Sequence, residues 1–221
     1  MRILIGCPTS NYKSYCLKEY LHGVRNLTHK YVDLVLVDNS KNSDYYNELK
    51  KLKIKVIKDD YKESVKERIV SSRNKLKEYF LKNDYDYLLS LEQDVVPPKD
   101  VIERLMKHGK DICSGLYFKE KDNELIPIMY VPYKNEFAKL LKFEEIPENE
   151  LIEVITSGLG CVLIKRKVLE NVEFRYEKNK EPWDDVWFCE DARQKGFKVY
   201  VDTSVRCKHF IKGMKWDEIK K

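Results

Sequence analysis

The feature that most constrains the fold is an alternation, through the N-terminal half, of short unbroken apolar runs with segments of helical periodicity. Ile3-Leu4-Ile5 leads into Gly6-Cys7-Pro8-Thr9-Ser10, and Leu34-Val35-Leu36-Val37 is halted by Asp38-Asn39-Ser40. Each reads as a buried strand entering a polar loop. Between them Leu17, Leu21 and Val24 recur at helical spacing, which implies a parallel pair joined by a helix. Ile54 to Ile57 gives a third strand, Val65, Ile69, Leu76 and Phe80 mark a long amphipathic helix, and Tyr87 to Leu91 gives a fourth strand. This half reads as a doubly wound α/β unit.

Beyond Pro97-Pro98 the pattern predicts a helix through Val101, Ile102, Leu105 and Met106, closed by Gly109. The rhythm then changes. Ile112 to Phe118, Ile126 to Val131, Glu153 to Thr156 and Cys161 to Ile164 read as strands with little helix between them, an antiparallel or mixed extension of the sheet. A helix from Asp185 to Lys195 should end at Gly196, and Phe197 to Asp202 alternates like a half-exposed strand. With 221 residues and no linker composition, the expectation is one domain, a doubly wound mixed sheet flanked by helices.

Charge decides between partners. Lys and Arg number 42 against 37 Asp and Glu, and the surplus of five is spread along the chain. A surplus so diluted, with no aromatic-basic strand motif and no basic helix, argues against nucleic acid. It suits an anionic nucleotide donor or a weak peripheral approach to an anionic membrane surface, and equally plain solvated Lys-rich faces. The six cysteines contain no close pair of the metal or redox kind and are expected to be reduced core residues. The N-terminal run is too short for a signal segment and nothing approaches a transmembrane length, so a cytoplasmic protein without a transmembrane segment is expected.

In open parallel sheets ligands bind beyond the carboxyl ends of the strands, so the chemistry is sought there. After Leu91 comes Glu92-Gln93-Asp94, and extended geometry would set the two carboxylates on one face, where they can share Mg²⁺ or Mn²⁺ with substrate phosphates. An isolated acid-x-acid triplet is more often a simple turn. Asp38-Asn39-Ser40 offers acceptors for a ribose or base edge, or an ordinary turn. Arg73 and Asn74 lie in the long helix, either near a nucleotide or as an exposed pair. Trp183-Asp184-Asp185 precedes an apolar helix, so either acid can cap it or present a general base. Glu190-Asp191 is a rival pair better suited to a solvated surface. His209 is an additional ligand candidate for Mn²⁺, although a lone histidine is more often structural. His22, His29 and His108 receive no role.

Taken in order, Pro8-Thr9, Asp38-Asn39-Ser40, Arg73-Asn74, Glu92-Gln93-Asp94, Asp184-Asp185 and His209 resemble the family-2-like glycosyltransferases of GT-A fold, over nearly the whole chain. The resemblance implies a nucleotide-binding half at 1–98 and an acceptor-side half at 99–221. It implies that Pro8, Thr9, Asp38, Asn39, Ser40, Arg73, Asn74 and Gln93 serve the nucleotide sugar, with UDP as the default. Asp94, His209 and Glu92 would hold a divalent metal, Mn²⁺ or Mg²⁺. Glu92 stands where the family commonly has aspartate, which leaves Asp94 as the surer ligand. Gly158, Gly160 and Trp183 would lie on the acceptor side, in and after a segment similar to the family's Gly-containing stretch. Asp185, with Asp184 beside it, would be the base, because the register of Phe188, Gly196, Phe197, Val199, Asp202 and His209 fits the family pattern best when started at Asp184.

The activity so implied is hexosyltransferase-like transfer from a nucleotide diphosphate donor to an unidentified acceptor hydroxyl, with inversion at the anomeric carbon. A nucleotidyltransferase is the nearest alternative, but its Gly-rich basic phosphate loop is missing. A non-catalytic nucleotide-sugar-binding module is the other, since a fold alone does not establish activity. The stretch from Lys119 to Glu150 is expected to shape the acceptor side or form a lid.

Overall fold

A computed structural model describes residues 1–122, 124–134 and 137–211. In chain order the elements are β1 (Ile3–Thr9), α1 (Leu17–Arg25), β2 (Val32–Asp38), α2 (Asp44–Lys51), β3 (Lys55–Lys58), α3 (Val65–Lys82), β4 (Tyr87–Leu91), β5 (Val95–Val96) and α4 (Val101–Met106). They continue with β6 (Ile112–Leu116), β7 (Phe118–Lys121), β8 (Glu124–Pro127), β9 (Met129–Tyr133), β10 (Phe137–Lys139), β11 (Leu151–Val154), β12 (Thr156–Ser157), β13 (Cys161–Lys165), α5 (Arg166–Leu169), α6 (Asp184–Gln194), β14 (Val199–Arg206) and β15 (Lys208–His209).

Eight strands form one central sheet in the order β11-β14-β6-β13-β4-β1-β2-β3. Pairing is parallel from β4 through β1 and β2 to β3, and antiparallel where β13 enters between β4 and β6. The mixed extension expected of the C-terminal half is therefore a continuation of the same sheet. Alternate residues of β1 feed two cores: Ile3, Ile5 and Cys7 pack with α1, α2 and α4, while Leu4 packs with α3 and α6. Burying both faces is what forces the unbroken apolar runs that the sequence shows.

Besides the short α5, β5 and β10, which were not expected, and the division of Ile112 to Phe118 between β6 and β7, three elements differ from the sequence reading in instructive ways. α2 was not predicted, because only Tyr45 and Leu49, one turn apart, turn inward from an otherwise polar segment. The run Ile126 to Val131 is not one strand: β8 pairs with β7, β9 pairs with β10 and β12, and the chain changes partner at Ile128. There Ile128 N donates to Tyr117 O at 3.1 Å and its carbonyl accepts from Gly158 N at 3.0 Å. The half-exposed strand expected at Phe197 to Asp202 is instead the interior strand β14, flanked by β11 and β6, with Val199 and Val201 buried. Its Asp202 is buried because His108 and Ser204 satisfy it.

Helix boundaries follow local chemistry. The hydroxyl of Ser64 caps α3 by accepting from Glu67 N at 3.4 Å. Past α6, Gly196 adopts φ of +84°, the left-handed conformation that ends helices and that a side chain resists. All six cysteines are buried free thiols. Among the described residues no helix is long and apolar enough to cross a membrane.

Candidate active site

The loops after β1, β2 and β4 and the start of α6 converge on one edge of the sheet, as the parallel topology dictates. They line a cleft of about 660 Å³ that includes Pro8, Thr9, Asn39, Ser40, Glu92, Gln93 and Trp183. Lys13, Lys41 and Arg68 add positive charge to its wall. Arg68 and Lys41 stack on Tyr61 at 4.8 and 5.5 Å from the ring centre, a flat cationic and aromatic surface.

Several residues expected to meet a nucleotide directly are also committed to the protein. Asp38 is fully buried, accepts from Ser40 N at 3.1 Å and from Ser40 Oγ at 2.5 Å, and is paired with Lys58 Nζ at 2.6 Å. Asn39 donates to Ser72 Oγ at 3.1 Å. Gln93 ties together the end of β1, α2 and the segment at Lys13: its Oε1 accepts from Thr9 and Tyr45, and its Nε2 donates to Lys13 O at 2.5 Å. Asn74 is bound to the backbone of Phe174 through both ends of its amide, at 2.8 and 3.1 Å, and straps α3 to the segment leading into α6. Asn74 is not among the residues that line the cleft.

Glu92 and Asp94 do not share a face. The segment is a turn, closed by Val95 N donating to Glu92 O at 2.9 Å, so the extended spacing assumed from sequence does not apply. Glu92 Oε1 accepts from Arg73 at 2.6 Å, whereas Asp94 Oδ2 is paired with Lys13 Nζ and lies 3.4 Å from His209 Nε2. His209 arrives there because β15 pairs with β5, setting His209 opposite Val95, and its Nδ1 is fixed at 2.8 Å from Phe118 O. Burial disfavours the charged form of Asp94, but the hydrogen bonds and charges of His209 and Lys13 outweigh it and hold the carboxyl below its ordinary range. His209 is correspondingly raised: burial opposes protonation and Asp94 overrides it.

The second acidic centre lies at the start of α6. Trp183, not an acid, occupies the cap position, and Asp184 and Asp185 are the first helical residues. Asp184 is buried and accepts from Arg73 Nε at 2.5 Å. Arg73 itself is 3% exposed and spans Asp184, Glu92 and Ser90 Oγ, so the reading of an exposed helix pair is replaced by a buried clamp between β4, α3 and α6. Among the described residues no cation forms an ion pair with Asp185. Burial first, then repulsion from Asp184 and Glu92, push its carboxyl up to about 6, against the opposing pull of the Val186 N–H and Arg73. The rival pair is surface structure, with Glu190 bonded to Gln194 and Asp191 held by both ends of the Arg175 guanidinium.

Gly158 and Gly160 make room for Tyr117. A Cβ on Gly158 would lie 2.1 Å from the Tyr117 hydroxyl, and one on Gly160 2.7 Å from the ring. The hydroxyl accepts from Gly160 N at 2.8 Å, and the Tyr117 ring packs edge-on against His209 at 5.4 Å. Trp183 is 47% exposed at the cleft wall, with Lys66 Nζ 5.4 Å from its ring centre. Lys66 also holds the carbonyls of Lys180, Glu181 and Pro182.

Lys13, Tyr117, Arg68 and Lys66 were not singled out from the sequence. In a chain with 42 basic residues nothing local distinguishes these cations, and Tyr117 is one of 15 tyrosines.

No protein-family model matches the chain, and no curated protein does. Solved structures do. A197 from STIV superposes with a TM-score of 0.54 at 22% identity, over 96% of this chain and 86% of that one. GalNAc-T7, solved with UDP, GalNAc and Mn²⁺, superposes with a TM-score of 0.66 at 14% identity, over 95% of this chain and 44% of that one. The chain thus spans less than half of the GalNAc-T7 chain. GalNAc-T7 is a GT-A glycosyltransferase, and the mixed eight-stranded sheet flanked by helices gives the present chain a GT-A-like fold.

Proposed function

We propose that this protein is a metal-dependent glycosyltransferase that moves a sugar from a nucleoside diphosphate to an acceptor hydroxyl. The observation that carries the reading is the opposite treatment of two aspartates, neither of them paired with the Arg73 that clamps Glu92 to Asp184: Asp94 is held charged by Lys13 and His209 beside the cationic cleft, and Asp185 is pushed up to about 6 by burial and by its acidic neighbours. Environments that shift two acids in opposite directions in this way assign them different tasks. The GT-A-like fold, shared with a protein solved with UDP, GalNAc and Mn²⁺, supports the same reading.

The site fits a divalent ion through two of the three side chains named for it. Among the described residues no group of three His, Cys, Asp or Glu side chains is set to hold a metal. Yet Asp94 Oδ1 is buried without a hydrogen-bond partner, and His209 Nε2 faces the same carboxylate. Mg²⁺ and Mn²⁺ accept one or two protein ligands when substrate phosphates and water complete the shell. Asp94 and His209 would be those ligands, while Glu92, tied to Arg73, would stand outside. The ion would neutralise charge developing on the leaving diphosphate.

The chain's own residues supply the rest. Lys13, Lys41 and Arg68 draw the anionic donor into the cleft, and Tyr61 offers a face for its base. Asp185 accepts the proton of the acceptor hydroxyl as that oxygen attacks the anomeric carbon from the side opposite the diphosphate, which inverts the centre. Asp184, neutralised by Arg73, would fix the first turn of α6 and with it the position of Asp185 next to Trp183.

The test is to incubate the protein with UDP-, GDP- and dTDP-linked sugars and Mn²⁺, Mg²⁺ or chelator, and to assay release of the nucleoside diphosphate. Release from one nucleotide class, lost with chelator, is expected. Release of pyrophosphate from a nucleoside triphosphate and a sugar phosphate would replace this reading with a nucleotidyltransferase.

A further inference from the structure

The Asp94 carboxylate already holds a cation, and that cation belongs to the chain. Asp94 is 4% exposed, and a buried carboxylate left without a counter-charge is strongly disfavoured. Lys13 Nζ meets its Oδ2, the oxygen that faces His209, while Oδ1 is unpartnered. The backbone of Lys13 is pinned: its N donates to Ser10 O at 2.9 Å, and its carbonyl accepts from Gln93 Nε2 at 2.5 Å and Cys16 Sγ at 3.2 Å. Its side chain is 30% exposed and lines the cleft that the donor would enter. A fixed backbone bearing a flexible four-carbon stem with a point charge can exchange one anion for another without moving the loop.

We propose that Lys13 is a placeholder cation: its ammonium occupies the Asp94 carboxylate while the cleft is empty, and turns to the donor's diphosphate when a divalent ion takes Asp94. The inference rests on the glycosyltransferase reading and adds an order to it. A divalent ion arriving alone must displace Lys13, which has nowhere equally favourable to go. An ion arriving with a diphosphate gives the ammonium a new anion, so ion and nucleotide bind with positive coupling that is reciprocal.

The experiment titrates the full chain with Mn²⁺, following the electron paramagnetic resonance signal of the free ion, with and without UDP or GDP. For the wild type, a nucleotide is expected to tighten Mn²⁺ binding at least about tenfold. For Lys13→Met, Mn²⁺ without nucleotide should bind about tenfold more tightly than to the wild type, and UDP or GDP at saturating Mn²⁺ about tenfold more weakly. Lys13→Arg, which restores the charge, should return Mn²⁺ affinity toward the wild-type value. If the wild type takes up Mn²⁺ equally well with and without nucleotide, or Lys13→Met fails to tighten it, the placeholder role is overturned and the metal-dependent reading stands. If neither the wild type nor Lys13→Met takes up Mn²⁺ under any condition, both fall together. The wild-type coupling needs no variant to fold.

Discussion

Asp94 and Asp185 are two buried or half-buried aspartates near the same clamp, and their surroundings treat them oppositely. Asp94 is met by Lys13 and His209 and stays charged, whereas Asp185 is met by burial and by two other acids and is pushed up to about 6. Arg73 pairs with neither, its charge being spent on Asp184 and Glu92. The lesson is that the sign and number of close partners, rather than depth alone, decide what a buried acid can do. An acid surrounded by cations suits an ion and a diphosphate. An acid denied a cation suits proton transfer.

Removing the base breaks the comparison most sharply. Asp185→Asn should lower kcat by about 100- to 10,000-fold, the usual contribution of a positioned general base, while UDP binding measured by calorimetry stays within about twofold. Arg73→Met should come next, destabilising the fold by roughly 3 kcal/mol in urea unfolding, because it strands buried Asp184 and part-buried Glu92. Arg73→Lys should recover little of this, since a point charge cannot span three acceptors.

A smaller effect separates stability from activity at Asp185. Its folded pKa lies above the ordinary carboxylate value, so the folded state binds the proton more tightly and loses stability as pH rises from about 4 through 6. Asp185→Asn should therefore stabilise the protein at pH 7.5 by roughly 1–2 kcal/mol after allowance for solvent screening, a gain that fades by pH 4. The wild-type rate should instead rise through pH 6 and level off as the base deprotonates. The smallest effect is a control far from both centres: Ser64→Ala removes the α3 cap and should cost about 1 kcal/mol without moving the pH profile.

The parallel half was readable from sequence because strands buried on both faces must be apolar throughout, and strand ends in such sheets are where polar loops gather. That reasoning drew attention to Asp38 and Asp94, while the start of α6 stood out as an acidic pair ahead of an apolar helix and through the family resemblance. It could not show partners. The Lys13–Asp94 and Arg73–Asp184 pairs join residues 81 and 111 positions apart, and no local pattern announces them. The assumption of an extended Glu92-Gln93-Asp94 failed because Gly160 O captures Glu92 N and Val95 N folds back on Glu92 O. β14 was misjudged for a related reason: Asp202 and Thr203 look like solvent-facing residues until His108, Ser204 and Glu150 are brought to them.

The most direct test of the division between the two acids compares three proteins, wild type, Asp94→Asn and Asp185→Asn, in thermal unfolding with UDP- and GDP-sugars in the presence and absence of Mn²⁺, since a ligand that binds only the folded state raises its melting temperature. The account predicts Mn²⁺-dependent stabilisation of the wild type by one nucleotide class, its loss in Asp94→Asn and its retention in Asp185→Asn. Equal stabilisation of the wild type and Asp94→Asn, or loss of the response in Asp185→Asn alone, would contradict it.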